Sequence, residues 1–144
     1  MHVDPGQVLV LRTDGGSRGN PGPAAAGIAI EAQDGTLVAR GGHYLGEMTN
    51  NQAEYRALIY GLKAVAPYQP SAVEVYLDSE LVVNQLNGRY QVRDAGLRPL
   101  FEEARQLAQA LPAVRFTHVP RAQNHRADRE VNKALDAARH RARQ

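Results

Sequence analysis

Four acidic residues fall where a folded chain could bring carboxylates together. Asp14 ends the apolar run VLVLRTD and Asp78 ends the alternating run AVEVYLD, so each closes a predicted β-strand. Glu54 and Asp128 lie in the first turns of two predicted helices. Carboxylates that converge repel one another unless a cation lies between them, and oxygen ligands without His or Cys favour Mg²⁺ or Mn²⁺ over zinc. Two such ions can hold the attacking and leaving oxygens of a phosphoryl displacement, so the pattern indicates nuclease chemistry.

Each acid taken alone also has a purely structural explanation. Asp14 could stabilise a turn, and Asp78 could end a strand just before a helix cap. Glu54 and Asp128 could interact with the positive ends of helices. Glu54 argues for more than that, because Leu58 follows four residues later and places the acid beside the apolar side of its helix. A carboxylate at such a position requires a cation or a hydrogen-bond donor.

The segments that carry these acids alternate between strand-like and helix-like patterns. Three strands come first: one ends near Asp14, and two flank the pair Asp34-Gly35, a strong hairpin signal. A helix follows over TNNQAEYRALIYGLKAVA, where Thr49 and Gln52 form a capping box. The remaining elements are the strand AVEVYLD, a short helix over SELVVNQL, a helix starting at Pro99, a strand over VRFTHVP and a helix from about Asn124.

The order βββαβααβα predicts one mixed-sheet α/β domain over residues 1–144. Strands one and four are the expected neighbours, because a hairpin set followed by a helical crossover returns the chain beside the central strand. Their carboxyl ends then point the same way. This arrangement brings Asp14 close to Asp78.

Composition excludes several classes of protein and site. The chain has no cysteine, which rules out a disulfide, a thiolate metal site and a cysteine nucleophile. No apolar run approaches the roughly 20 residues of a membrane span, and the start MHVDPGQ lacks the pattern of a signal peptide. We therefore expect a monomeric, cytoplasmic protein that does not contact membranes.

Positive charge is concentrated at the end of the chain. Residues 115–144 carry eight Lys or Arg against three acids, although the whole chain has a net charge of only +2. Phosphate contacts supply most non-specific affinity for nucleic acids, so this segment is a candidate polyanion-binding surface. A solvated helix with a basic end explains the same charges equally well.

Taken together, these segments resemble type-1 ribonuclease H, the enzyme that cuts the RNA strand of RNA/DNA hybrids. The resemblance runs from VLVLRTDGGSRGNPGPAAAG through MTNNQAEYRALIYGL and VEVYLDSELVVNQL to HVPRAQNHRADREVNKAL, with one acid in each motif. It implies the ribonuclease H-like fold, a five-stranded mixed sheet in which strands four and five run parallel to strand one. It also implies two Mg²⁺ or Mn²⁺ ions held by Asp14, Glu54, Asp78 and Asp128, with Asp14 bridging both.

The resemblance further implies how the hybrid is bound and cut. The glycine-rich loop would lie against the minor groove, where 2′-hydroxyl groups distinguish RNA from DNA. Water would attack phosphorus, and the products would carry 5′-phosphate and 3′-hydroxyl ends. The residues expected to contact substrate are Gly15, Gly16, Ser17, Asn20, Thr49, Asn50, Asn51 and Glu80.

The chain departs from the family pattern at three places. Many members carry a basic protrusion rich in Lys and Trp, where this chain has only NGRYQVRDAGLRP and no Trp. Affinity for the hybrid must then come from elsewhere, and the basic C-terminal segment is the candidate. Glu80 replaces a frequent Gln. His118 matches the spacing of the family's catalytic His but falls in a predicted strand, so Arg121 and His125 of the next loop are alternative auxiliary residues.

Of three other functions, the sequence leaves one open, argues against the second and excludes the third. A ribonuclease that also accepts double-stranded RNA stays open, since that duplex shares the A-like minor groove. A non-catalytic nucleic-acid binding module could use GSRG as a KH-type loop, but that loop joins two helices and here it follows a strand. A P-loop enzyme is excluded, because the loop lacks the Lys-Ser/Thr pair.

Overall fold

A five-stranded sheet forms the centre of the computed structural model, which describes residues 2–143. The strands and helices follow the predicted order, with two short 3₁₀ turns added at Ala66–Tyr68 and Arg121–Gln123. The elements are β1 (Val8–Ser17), β2 (Gly22–Ala32), β3 (Leu37–Met48), α1 (Asn50–Val65), β4 (Ala72–Leu77), α2 (Glu80–Leu86), α3 (Arg98–Gln109), β5 (Val114–His118) and α4 (His125–Ala142).

The strand order is β3-β2-β1-β4-β5, and its directions confirm the prediction of a mixed sheet. β1, β2 and β3 pair antiparallel, whereas β4 runs parallel to β1 and β5 runs parallel to β4. The carboxyl ends of β1 and β4 therefore meet at one edge of the sheet. The chain segments that carry Asp14 and Asp78 are neighbours there, as the sequence predicted.

β1 does not end near Asp14 as predicted but continues to Ser17. Residues 14–17 keep pairing with the alanine-rich start of β2, where Gly15 lies opposite Ala26. Glycine and alanine are small enough for both sheet faces to be covered closely by helices at this point. The strand therefore extends through a segment whose glycines suggested a loop.

α1 packs on one face of the sheet with the apolar stripe that its spacing predicted. Tyr55, Leu58 and Leu62 are buried in the main core together with Leu9 and Leu11 of β1. The capping box is present: the Thr49 hydroxyl accepts from the Gln52 backbone N–H, and the Gln52 side chain accepts from the Thr49 N–H. This cap fixes where the helix begins and so where its first turns lie.

α3 packs against α1, so its apolar side is only partly covered. Leu100 and Ala104 are buried, whereas Phe101 and Leu107 of the same stripe are partly exposed. Phe101 meets the Tyr55 ring edge-on, with centroids 6.4 Å apart. The apolar side of α3 is therefore the one that the sequence predicted, but it packs against helix α1 and not against the sheet.

α4 covers the opposite face over β1, β2 and β3. Its first turns approach so closely that a Cβ on Gly27 would lie 2.1 Å from the Ala127 carbonyl oxygen. A buried Glu31 anchors the same end, because its carboxylate pairs with Arg12 at 3.0 Å and with Arg126 at 2.8 Å. The close contact at Gly27 and the two ion pairs of Glu31 together fix the start of α4 against β1 and β2.

Within residues 2–143, none of the helices combines the length and the apolar character needed to cross a bilayer.

Candidate active site

Three of the four predicted acids converge at the carboxyl edge of the sheet. Asp14 points from β1, Glu54 from the first turns of α1, and Asp78 directly follows β4. Each offers a carboxylate oxygen, and these oxygens all lie within 4.8 Å of one another. Asp14 and Glu54 are only 7% and 8% exposed. We call these three residues the carboxylate cluster.

Asp128 is placed beside this cluster but outside it. It lies in the first turn of α4, as predicted, and one of its oxygens accepts a hydrogen bond from Arg121 Nη2 at 3.2 Å. Its charge and its hydrogen bonding both raise the pKa of Asp14, which shows that the two side chains are close. The fourth acid is therefore adjacent to the cluster and is paired with the positive charge of Arg121.

All four acids line one cavity of about 460 Å³. The predicted substrate residues Gly15, Gly16, Ser17, Asn50 and Asn51 also line it, together with Arg18, Ser79, Arg121, Val131, Asn132 and Leu135. The cavity thus combines a negative floor with polar side chains at its rim.

Burial and mutual repulsion shift the titration of the cluster. Burial first, and then the charges of Asp78 and Asp128, raises the pKa of Asp14 to about 8. Burial and the charges of Asp14 and Asp78 raise the pKa of Glu54 well above its usual value. Burial also raises the pKa of Asp78, although Asn124 and Arg121 partly oppose it. Without a cation, the site favours protonated carboxyl groups.

The cluster fits a hard divalent cation. Glu54 Oε2 is buried and has no hydrogen-bond partner among the described residues. Such an atom is costly to bury unless something else satisfies it. The available donors are all carboxylate oxygens, which suit Mg²⁺ or Mn²⁺. Glu54 Oε2, together with the carboxylates of Asp14 and Asp78, therefore offers suitable ligands for a cation of this class.

These pKa shifts predict how pH affects the metal-free chain. The folded cluster keeps protons that the unfolded chain releases near pH 3.8, so stability falls as the pH rises towards 8. In EDTA, the melting temperature of the wild type should fall between pH 5 and pH 8 by roughly 5 °C more than that of Asp14→Asn. Mg²⁺ added at pH 8 should restore stability to the wild type. Parallel melting curves for the two proteins would contradict the predicted titration.

Asn124 is a site residue that sequence reasoning used only to mark a helix start. It is fully buried, and its Nδ2 donates to the Thr13 carbonyl oxygen at 2.9 Å. Its side chain also favours the charged form of Asp78 and lowers the pKa of that carboxyl. Asn124 therefore ties β1 to the turn before α4 and orients Asp78. An Asn just before a helix is also a common helix cap, so the sequence alone does not reveal that Asn124 contacts β1 and Asp78.

Three predicted substrate residues do not line the main cavity. Asn20 lies close by, since its Oδ1 accepts from the Asn50 backbone N–H at 3.1 Å. The Thr49 hydroxyl is used by the α1 cap. Glu80 lines a neighbouring cavity of about 360 Å³ together with His118.

The rim of the main cavity is held by side-chain hydrogen bonds. Asn50 Oδ1 accepts from the Ser17 backbone N–H and from Ser17 Oγ, both at 2.9 Å. This pair joins the start of α1 to the end of β1. Asn50 itself lines the cavity, and these bonds use the oxygen of its side-chain amide.

The three candidate auxiliary residues lie in three different places. Arg121 lines the main cavity beside Asp128. His118 is exposed at the end of β5, in the predicted strand, and faces the neighbouring cavity. His125 lies beside a third cavity with Arg12 and Glu31. Of the three, Arg121 is the one that shares the cavity of the acids.

Comparison with known proteins gives consistent matches over most of the chain. A family model described as reverse transcriptase-like matches residues 12–134. Ribonuclease HI of Halobacterium salinarum is 49% identical over 125 residues, which is 87% of this chain. The chain spans 63% of the length of that relative, and 36% of the length of the bifunctional protein Rv2228c of Mycobacterium tuberculosis.

Solved structures match the fold closely. The N-terminal RNase H domain of Rv2228c is 42% identical with a TM-score of 0.89, and the match covers 94% of this chain and 99% of that one. LC11-RNase H1 in complex with an RNA/DNA hybrid is 40% identical with a TM-score of 0.86, covering 90% and 98%. The range matched by the family model includes all four acids. The chain belongs to the type-1 ribonuclease H family.

Proposed function

We propose that this chain is a divalent-metal-dependent endoribonuclease that hydrolyses the RNA strand of RNA/DNA hybrids. The products would carry 5′-phosphate and 3′-hydroxyl ends. The observation that carries the proposal is the carboxylate cluster, which includes Glu54 with its buried and partnerless Oε2. The relative that was solved in complex with an RNA/DNA hybrid supports the substrate class.

In this proposal Asp14, Glu54, Asp78 and Asp128 hold two Mg²⁺ or Mn²⁺ ions. When bound, such ions supply Lewis-acid stabilisation of the charge that develops on the oxygens of the scissile phosphate. The protein contributes fixed geometry, because Asp14 and Glu54 are buried on a strand and a helix that cannot move independently. Asn124 lowers the pKa of Asp78 against the effect of burial and so favours the charged form that binds a cation.

Strand choice would come from the rim of the cavity. Asn50 and Asn51 are exposed amides at the start of α1, and Ser17 fixes the orientation of Asn50. Amide and hydroxyl groups at this position can hydrogen-bond the 2′-hydroxyls in the minor groove of a hybrid. Asn20, Thr49 and Glu80 stay predicted contacts at the edges of the same surface.

Arg121 is the auxiliary residue that we propose for catalysis, in preference to His118. Its guanidinium is permanently charged and lies among the acids, where it can contact the scissile phosphate. Arg121→Ala should lower kcat on hybrid by roughly tenfold or more, as expected for a lost charge-assisted contact. Because Arg121 is largely exposed, the melting temperature should stay unchanged.

His118→Ala is the matched comparison for Arg121→Ala. Since His118 faces another cavity, we expect its loss to change kcat by less than about twofold. Steady-state cleavage of a labelled hybrid by both variants decides between them. A larger loss for His118→Ala than for Arg121→Ala would overturn the assignment.

A substrate panel tests the proposed function. The purified chain is incubated with end-labelled RNA/DNA hybrid, double-stranded RNA, double-stranded DNA and single-stranded RNA, each with Mg²⁺, Mn²⁺ or EDTA. We expect cleavage of hybrid RNA that EDTA abolishes. Comparable cutting of double-stranded RNA would assign a broader A-form ribonuclease, and binding without any cutting would assign a non-catalytic module.

Three further expectations from the sequence stay predictions. These are the single catalytic domain over residues 1–144, the monomeric state and the cytoplasmic location. Sedimentation of the purified chain tests the second of them directly.

A further inference from the structure

A second cavity of about 460 Å³ lies between the C-terminal half of α4 and the parts of β2 and β3 that carry Pro23 and Tyr44. Its lining includes Tyr44, Leu135 and Ala138 as apolar floor and Arg18, Arg139 and Arg141 as basic rim. We call this surface the basic groove. Tyr44, a residue of β3, is one of the larger exposed apolar side chains of the described chain. An apolar floor edged by arginines is unusual for a surface that only faces solvent.

The basic groove continues from the cavity of the four acids. Arg18 and Leu135 line both cavities, so the two cavities are adjacent. α4 forms one side of both, since Asp128 lies in its first turn and Arg139 in its last. One surface therefore runs from the acids along the length of this helix.

The charges of this surface are partly unpaired. Arg18 contacts Asp136 at 2.7 Å. Within residues 2–143, neither Arg139 nor Arg141 has an ion-pair partner. Without bound cations the acidic end of the same surface repels phosphate, so positive charge at a distance from the acids favours the binding of a polyanion. Arg139 and Arg141 supply positive charge at such a distance.

The spacing fits a nucleic-acid backbone. Arg139 lies eleven positions after Asp128, which corresponds to roughly 16 Å along a helix axis. For a duplex whose axis runs along α4, at about 3.4 Å of duplex axis per phosphate in one strand, this length spans about five nucleotides. Phosphates would meet the arginines while sugar faces lie on the apolar floor.

We propose that the basic groove binds the backbone of the hybrid about five nucleotides from the scissile phosphate. This inference rests on the proposed function, because it takes the same duplex as ligand. The segment NGRYQVRDAGLRP stands where many family members have a longer basic protrusion. The basic groove would supply the affinity for the hybrid that such a protrusion provides. The binding is electrostatic and independent of base sequence.

The test is the double variant Arg139→Gln with Arg141→Gln, compared with Arg40→Gln with Arg105→Gln. The control removes the same charge from exposed arginines of β3 and α3, outside the basic segment 115–144. On a 20-base-pair hybrid, the groove variant should show a KM raised about tenfold with kcat unchanged. The slope of log(kcat/KM) against log[salt] should become shallower by nearly two. The control variant should match the wild type.

Single neutral methylphosphonates in the hybrid locate the contact. Those about five nucleotides from the cleavage position should raise KM for the wild type and leave the groove variant unaffected. If the wild type cuts hybrid and both double variants share its KM and salt slope, the groove inference is overturned while the proposed function stands. If the wild type cuts nothing, the proposed function fails, and fluorescence anisotropy with the same labelled hybrid still decides whether the groove binds it.

Discussion

Asp14→Asn should abolish cleavage of hybrid RNA, with a loss of about a thousandfold or more, without unfolding the chain. Asp14 lies between Glu54, Asp78 and Asp128, so an amide there removes the charge on which any bound cation depends. Losses of this size are typical when a group that stabilises transition-state charge is removed. Steady-state cleavage with Mg²⁺ in excess measures the effect.

Stability should change in the opposite direction. The charged Asp14 carboxylate is buried beside other acids, and this position raises its pKa to about 8. A neutral amide avoids that repulsion, so Asp14→Asn should melt at the same temperature as the wild type or higher in EDTA. A variant that loses activity because it unfolds would contradict the account.

Asp34→Asn is the matched control for the Asp14 variant. Asp34 is exposed in the turn between β2 and β3, where its side chain accepts from the Thr36 N–H. Asn-Gly suits such a hairpin turn as well as Asp-Gly does. Full activity is expected, and full activity in Asp14→Asn as well would refute the assignment of the cluster as the metal site.

Gly15→Ala should destabilise the chain severely, by about 3 kcal/mol or more. A Cβ at this position would lie 2.1 Å from the Ala53 carbonyl oxygen and 2.5 Å from the Glu54 nitrogen. Both atoms belong to the backbone of α1, so the whole helix would have to move away from β1. Urea or thermal denaturation measures the loss.

Gly16→Ala is the comparison next to it in the chain. A Cβ there would meet only Val131 Cγ1 at 3.5 Å, an ordinary contact. We expect a change within about 1 kcal/mol, because a tolerated methyl group restricts the unfolded chain more than the folded one. Equal stability of the two variants would show that α1 does not lie as close to β1 as described.

The sequence was sufficient for the elements that place the acids. Alternation and helical spacing predicted the order of strands and helices, and the position of Glu54 beside Leu58 predicted its burial. The parallel neighbours β1 and β4 followed from the crossover rule. These features are local patterns or simple topology, which a single sequence carries well.

Features that depend on close packing could not be predicted in this way. The glycines after Asp14 suggested a loop open to substrate, yet Gly15 is needed because α1 occupies the space of its missing side chain. The buried Asn124 and the Arg12–Glu31–Arg126 ion pairs join residues about 20 to 110 positions apart. Such contacts appear only once sheet and helices are assembled.

The auxiliary residues illustrate the same limit. His118 has the family's spacing from Asp128, and spacing alone cannot tell which cavity a strand-terminal side chain faces. The structure puts His118 beside Glu80 and Arg121 beside Asp128. Two side chains only three positions apart thus line different cavities, because His118 is the last residue of β5 and Arg121 begins the 3₁₀ turn that follows.

Single-turnover cleavage of a hybrid labelled on each strand tests the central claim most directly. The wild type and Asp78→Asn are compared in the same Mg²⁺ concentration, and the ends of the fragments are identified. The account predicts that the wild type cuts only the RNA strand, leaves 5′-phosphate and 3′-hydroxyl ends, and that Asp78→Asn leaves the RNA intact. Cleavage of the DNA strand, or equal rates for the two proteins, would contradict it.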